Sequence, residues 1–152
     1  MRFVATVPTA YALAFSFSCL PASAVDRRIV DPQAVAALVG KAEQAQPKDQ
    51  CFLYAELVSQ MTELAGQQLD TGDELHASAS LKMVQYYAEK IHLGLASDAK
   101  KMKNAEQLMQ HTSHRLNDIL GAASYDDRQA LQATLKQLNR VQTELMMQVF
   151  KK

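Results

Sequence analysis

Apolar residues recur along the middle of the chain with alternating gaps of four and three. Val84, Ala88, Ile91, Leu95, Asp98, Met102, Ala105, Met109, Thr112 and Leu116 form one such series. This period puts every member on one side of a helix and predicts a seam that lies against other helices. A second series, Leu131, Leu135, Leu138, Gln142, Leu145 and Val149, repeats the spacing near the end of the chain. Upstream, Val35, Leu38, Val39 and Ala42 share one helical face, and Tyr54, Leu57, Val58, Met61, Leu64, Ala65 and Leu69 share another. Nothing reads as a strand, so the predicted fold class is all-α.

Helix boundaries follow from caps and breakers. Asp31-Pro32 is a cap followed by a proline in the first turn, opening a helix over about 32–45. Pro47 opens a second over about 47–70. Thr71-Gly72-Asp73-Glu74 stops that helix and caps the next, with Thr71 and Glu74 at capping-box spacing. Ser124-Tyr125-Asp126-Asp127 starts the last helix, about 124–151, in a similar way.

The stretch from Gly94 to Asp98 decides the architecture. Ser97 or Asp98 can cap a new helix there, but the seam keeps its phase across the site. Lys100, Lys101 and Lys103 would also fall in the first turn of that new helix, where the dipole disfavours cations. The expectation is therefore one long central helix over about 73–121, roughly 70 Å at ~1.5 Å per residue. The preceding helix would cover its first half and the last helix its second half, giving elongated antiparallel hairpins. The alternative is a compact bundle broken near residue 97, with Asp98 as a cap. A weaker back stripe of Leu75, Ala79, Met83, Tyr86 and Leu93 is available to the short first helix.

Leu64-Ala65, Gly72-Asp73, Ala77 and Leu81 together resemble the helix-turn-helix pattern of a single tetratricopeptide repeat, over about 34 residues of the 152. Gln68 stands where that pattern has an aromatic and Val84 where it has a small residue, and no second copy follows. The resemblance implies peptide or protein binding in a helical groove, without assigning particular residues.

The start of the chain changes where this domain is expected to work. Met1-Arg2, the apolar run from Phe3 to Leu20 and the small residues Ala22-Ser23-Ala24 have the form of a secretory signal peptide, residues 1–24. The alternatives are a retained anchor or lipidation at Cys19, but Pro8 interrupts the apolar run and Phe17 crowds the cysteine. Cleavage after Ala24 leaves a single all-α domain, 25–152, with Cys51 as its one cysteine and no internal disulfide. Asn104, Asn117 and Asn139 all lack the hydroxyl of a glycosylation site. The expected destination is a bacterial periplasm or the extracellular space, with no membrane span after cleavage. Loss of Arg2 leaves 15 Lys and Arg against 16 Asp and Glu, a net charge of −1. That balance has no basic excess to hold phosphate backbones, so nucleic acid is not an expected partner.

Candidate chemistry is sparse. His111-x-x-His114 puts two imidazoles one turn apart, a spacing that chelates copper, nickel or zinc. Both lie opposite Met109 and Leu116, with Glu106 and Asp118 the nearest carboxylates. Glu89-x-x-His92 has the spacing of a di-iron carboxylate half-site, but the chain supplies only one such motif. Met61, Met102 and Met109 sit on apolar faces, where methionine fills cores. Cys51 near the start of its helix is a candidate reactive or intermolecular thiol. No nucleophilic triad or phosphate loop is present, so neither catalysis nor a cofactor is expected. The expected function is an exported, non-catalytic module for protein interaction or structure. It would dock through Ile91, Leu95, Met102, Met109 and Leu116, facing Leu131, Leu135, Leu138 and Leu145, with another protein or a second copy as partner. An envelope metal-binding protein using His111 and His114 is the alternative.

Overall fold

A computed structural model describes residues 29–93 and 99–151. They form five helices: α1 (Pro32–Gln44), α2 (Pro47–Asp70), α3 (Glu74–Leu93), α4 (Ala99–Ala122) and α5 (Tyr125–Phe150). No strand occurs among the described residues. The protein is an all-α helical bundle. The signal-like segment, Leu95 and Asp98 lie outside the described residues.

Local chemistry sets the ends. The Asp31 carboxylate accepts from the Gln33 N–H at 3.0 Å, and Pro32 occupies the first turn. Gly72, at φ +76°, ends α2. Its N–H donates to the Leu69 carbonyl, and the Asp73 N–H donates to the Gln68 carbonyl at 2.8 Å. This is a Schellman closure, which needs a left-handed residue and so favours glycine. Thr71 caps the outgoing helix instead of the incoming one, its hydroxyl bonding the Gln67 and Gln68 carbonyls. Asp73 takes the incoming role: it accepts from the His76 N–H, and the His76 ring lies 2.7 Å from its carboxylate. These bonds hold the Asp73 carboxyl below its ordinary 3.8. The expected Thr71–Glu74 box is thus replaced by Asp73 and His76, because the glycine turn places the true cap two residues later. At α5, the Ser124 hydroxyl accepts from the Asp127 N–H and bonds its carboxylate at 2.6 Å.

Helices α2, α3, α5 and α4 form a closed ring in that order, each packed on the next, and α1 packs on α2. Paired residues give the directions. Asp49 meets Lys101 and Glu63 meets Arg115, so α2 and α4 run the same way. Gln85 bonds Thr134 and Glu89 meets Arg140, so α3 and α5 also run together. Since α3 turns back along α2 at Gly72, α3 and α4 run in opposite directions. The single helix expected over 73–121 is therefore not formed; the compact bundle is. The physical reason is burial. Doubling back brings both halves of the seam into one core with Leu57, Val58, Leu131 and Leu138, all fully buried. An extended helix would leave each half on a two-helix contact.

The seam's polar member Thr112 is accommodated in this core because its hydroxyl donates to the Leu108 carbonyl at 2.8 Å. Thr62 and Thr134 bond the carbonyls of Val58 and Ala130 in the same way. The lysines at the start of α4 are also explained. Lys101 pairs with Asp49 in the first turn of the parallel α2, so a carboxylate of the neighbouring helix offsets the cation at this end.

Candidate functional site

The residues expected to form a docking seam lie inside the molecule. Ile91, Met109, Leu116, Leu131, Leu138 and Leu145 are fully buried, Leu135 packs partly buried against them and Met102 is half-buried. The partners of this seam are the chain's own helices. Heptad spacing is the same for a face that meets another molecule and a face that meets the rest of its own fold.

His111 and His114 are both exposed on the outer side of α4. Among the described residues no group of three or more His, Cys, Asp or Glu is placed to hold a metal. The two imidazoles thus stand without a third such ligand in that set. Glu89 is exposed and committed to Arg140 at 3.1 Å, across α3 and α5. Cys51 is buried in the α2 core, away from solvent.

Two concave features adjoin the bundle ends. One, of about 210 Å³, lies where α2, α3, α4 and α5 meet and carries Asp70, Glu74, Asp118 and Asp127 with Arg115. Arg115 is held across it by Glu63, with Nε 2.9 and 3.0 Å from the two carboxylate oxygens. Gly66 in the same wall lets α4 come close: a Cβ there would stand 2.8 Å from Ile119 Cδ1. The other, of about 510 Å³, is an open groove with Phe52 and Leu53 beside the Asp49–Lys101 pair. Ser124 and Asp127, 2.6 Å apart in the wall of the first, are the capping pair of α5; the wall of the second carries no serine, cysteine or histidine.

What distinguishes the surface is α3. Leu75 is 79% exposed, Tyr86 51% and Met83 38%, and Ala79 between them is exposed. At 100° per residue these four fall within an arc of about 80°. These belong to the back stripe visible in the sequence, which was open to packing by the short first helix. α1 does not take that place: it packs along α2, with the Val30 N–H directed at Gln67, and makes no helix contact with α3. Val35 and Ala42 are buried against α2, which satisfies the short helix. The opposite side of α3 carries Val84, Ala88 and Ile91 into the core, so the helix is apolar on two sides. Behind the stripe, Tyr87 is buried, stacked on Tyr54 at 5.8 Å and met edge-on by Tyr86 at 5.0 Å. Burial, then the charge of Glu43, pushes the Tyr87 phenol above its usual 10.0. Lys90 caps the stripe, its ammonium 5.3 Å from the Tyr86 ring centre.

Sequence reasoning found these residues and missed their status. Spacing shows that the stripe is apolar, and which helix covers it depends on the path of α1, which runs its 13 residues along α2 alone. Comparison with protein-family models, with curated proteins and with solved structures finds no match to this chain. No helix among the described residues is long and apolar enough to cross a membrane.

Proposed function

We propose that this protein is an exported, non-catalytic helical module whose work is to bind another protein. One observation carries the proposal: the bundle completes its core internally and still holds Leu75, Met83 and Tyr86 on the outside of α3. An apolar helix face is one recurring docking surface, read through residues at three- and four-residue spacing. Aromatic and methionine side chains are also the types enriched in such contacts. The resemblance of the α2–α3 hairpin to a tetratricopeptide repeat points the same way. A hairpin of that kind needs a neighbour to stack on, and α4–α5 lies beside it with its helices in matching directions. Export rests on the signal-like form of residues 1–24.

The test is site-specific photocrosslinking in the native host. A benzoyl-phenylalanine at Met83 should give adducts with another protein, or with the chain itself, in the envelope fraction. The same group at Gln110, on the polar exposed side of α4, should give none. The mature chain should begin at Val25. Absence of adducts at Met83, or equal adducts at Gln110, overturns the binding proposal. A cytoplasmic, uncleaved chain overturns export.

A further inference from the structure

We propose that two copies of this chain can exchange their α4–α5 hairpins, with α3 and α4 of each copy joined into one straight helix. This goes beyond the binding function above and uses a different set of contacts. The chain divides into two halves, α1–α2–α3 and α4–α5, linked by the five residues from Gly94 to Asp98. The halves meet through α2 on α4 and α3 on α5, while α3 and α4 share no helix contact among the described residues. Side chains hold the halves together, and among the described residues no bond from backbone to backbone crosses between them. They can therefore part without opening a helix.

The exchange sets two conditions, and the bundle meets both. With a two-fold axis across the junction, the two straight helices run antiparallel, and α4 of one copy faces α3 of the other. So α3 and α4 must run in opposite directions within the single bundle, as the Glu63–Arg115 and Glu89–Arg140 pairs require with the α2–α3 turn. Their core faces must also fall on one side of a continuous helix. Ile91 and Ala105, both fully buried, stand two heptads apart, which at 100° per residue leaves the two faces about 40° from each other. A turn between helices does not need that agreement; a continuous helix does.

The second copy is the occupant because each half already fits the other. Every contact between the halves is remade between copies, including the Glu63–Arg115 pair and the packing of Leu57 and Val84 with Leu131 and Leu138, so both bundles keep their cores. What differs is the junction and the loss of freedom on association. Gly94 weakens a helix interior and Asp98 sets a charge on the seam, so the single bundle prevails at low concentration. Leu75, Met83 and Tyr86 stay outside in either form, and the dimer presents their stripe twice.

The test refolds the purified mature chain from urea at up to millimolar concentration and separates the products by size. The expected result is a dimer fraction that grows with refolding concentration. Gly94→Ala should raise the association constant roughly tenfold or more, since the glycine penalty is lifted in both copies. Ala96→Pro should lower it by at least roughly tenfold, because proline breaks a helix interior. A disulfide reads the connectivity. A Cβ at position 66 would stand 3.3 Å from Ile119 Cγ1, within reach of a bridge between α2 and α4. In a Cys51→Ala background, Gly66→Cys with Ile119→Cys should give covalently linked chains from the oxidised dimer and internally closed chains from the monomer. Should that pair disturb folding, Glu63→Arg and Arg115→Glu are made in separate chains. Each alone sets like charges across α2 and α4, and exchange between the two restores both pairs. Their mixture should give roughly fivefold more dimer than either chain alone. A parent chain that stays monomeric throughout overturns the proposal. So does a dimer whose cysteines close within each chain, or one that ignores Ala96→Pro and gains nothing from mixing the reversed chains. Capture at Met83 in cells reads the outer stripe and not the exchange, so either reading can fail while the other stands.

Discussion

Tyr87 shows how one buried side chain couples the fold to pH. It sits beneath the exposed stripe, between Tyr54 and Tyr86, and its phenol titrates above 10.0 because burial disfavours the phenolate. Below pH 10 the phenol is neutral in the folded and unfolded chain alike, and its contribution is intact. Above that value the unfolded chain ionises first, so this contribution is lost progressively until the folded phenol also titrates. Tyr87→Phe should therefore lose less stability than the parent between pH 9 and pH 11 in urea melts; parallel losses in the two proteins would contradict the assignment. Gly66 and Ile119 show a second coupling, through space instead of charge. A methyl at position 66 should improve helix propensity by about 0.5–1 kcal/mol, but it meets Ile119 Cδ1 at 2.8 Å and Cγ1 at 3.3 Å. Gly66→Ala alone should be neutral to destabilising, and in an Ile119→Val background it should stabilise. A double-mutant cycle should give a coupling of about 1 kcal/mol; additive effects would mean that α2 and α4 have room to relax apart.

At the scale of elements, boundaries were the most legible part of the sequence. Proline at positions 32 and 47 and Ser124 mark starts that the structure keeps within a residue. They are legible because capping is a contact between neighbours in sequence and needs no tertiary partner. The Thr71–Asp73 turn was placed correctly but its roles were exchanged, since Thr, Asp and Glu all fit a cap and only the φ of Gly72 decides which residue leads. That conformation has a measurable cost: Gly72→Ala should destabilise by about 1 kcal/mol, the penalty for a Cβ in left-handed geometry. The loss should be seen in thermal or denaturant melts with helix content unchanged, and no loss would show that the turn adopts another closure. The lysines near the start of α4 were misjudged for a different reason. A helix dipole argument made on one helix cannot include Asp49, which lies 52 residues away and belongs to a parallel neighbour. Among the described residues, side-chain bridges join the parallel neighbours: Asp49–Lys101 and Glu63–Arg115 for α2 and α4, Gln85–Thr134 and Glu89–Arg140 for α3 and α5. The ion pairs among them bridge helices whose dipoles are aligned unfavourably, while the antiparallel α2 and α3 are joined by the uncharged Ser80–Gln68 bond at 2.7 Å.

For the whole molecule, the heptad series identified the core and not its owner. Ile91, Met109, Leu116 and Leu138, expected as a docking seam for a partner, are fully buried against helices of the same chain. An unbroken phase across 94–98 records that α3 and α4 face one common core; a continuous helix is only one way to achieve that. The exposed stripe on α3 was equally visible, and what covers it is a question of three-dimensional arrangement that spacing does not encode. The two architectures differ most in where Glu74 and Asp118 stand. In one continuous helix they would be separated by about 66 Å, at ~1.5 Å per residue. In the bundle both line the same cleft, on helices that are diagonal in the ring, so labels there should be about 20 Å apart given neighbouring axes 8–10 Å from each other. Spin labels on Glu74→Cys and Asp118→Cys, with Cys51→Ala and dilution against the labelled chain's own copies, make the separation measurable by pulsed dipolar spectroscopy. A single short distance follows from the closed ring of α2, α3, α5 and α4. A distance near the long value would mean that α4 does not return along α2, and with it would go the shared core, the Glu63–Arg115 pair and the isolation of the α3 face on which the binding function rests.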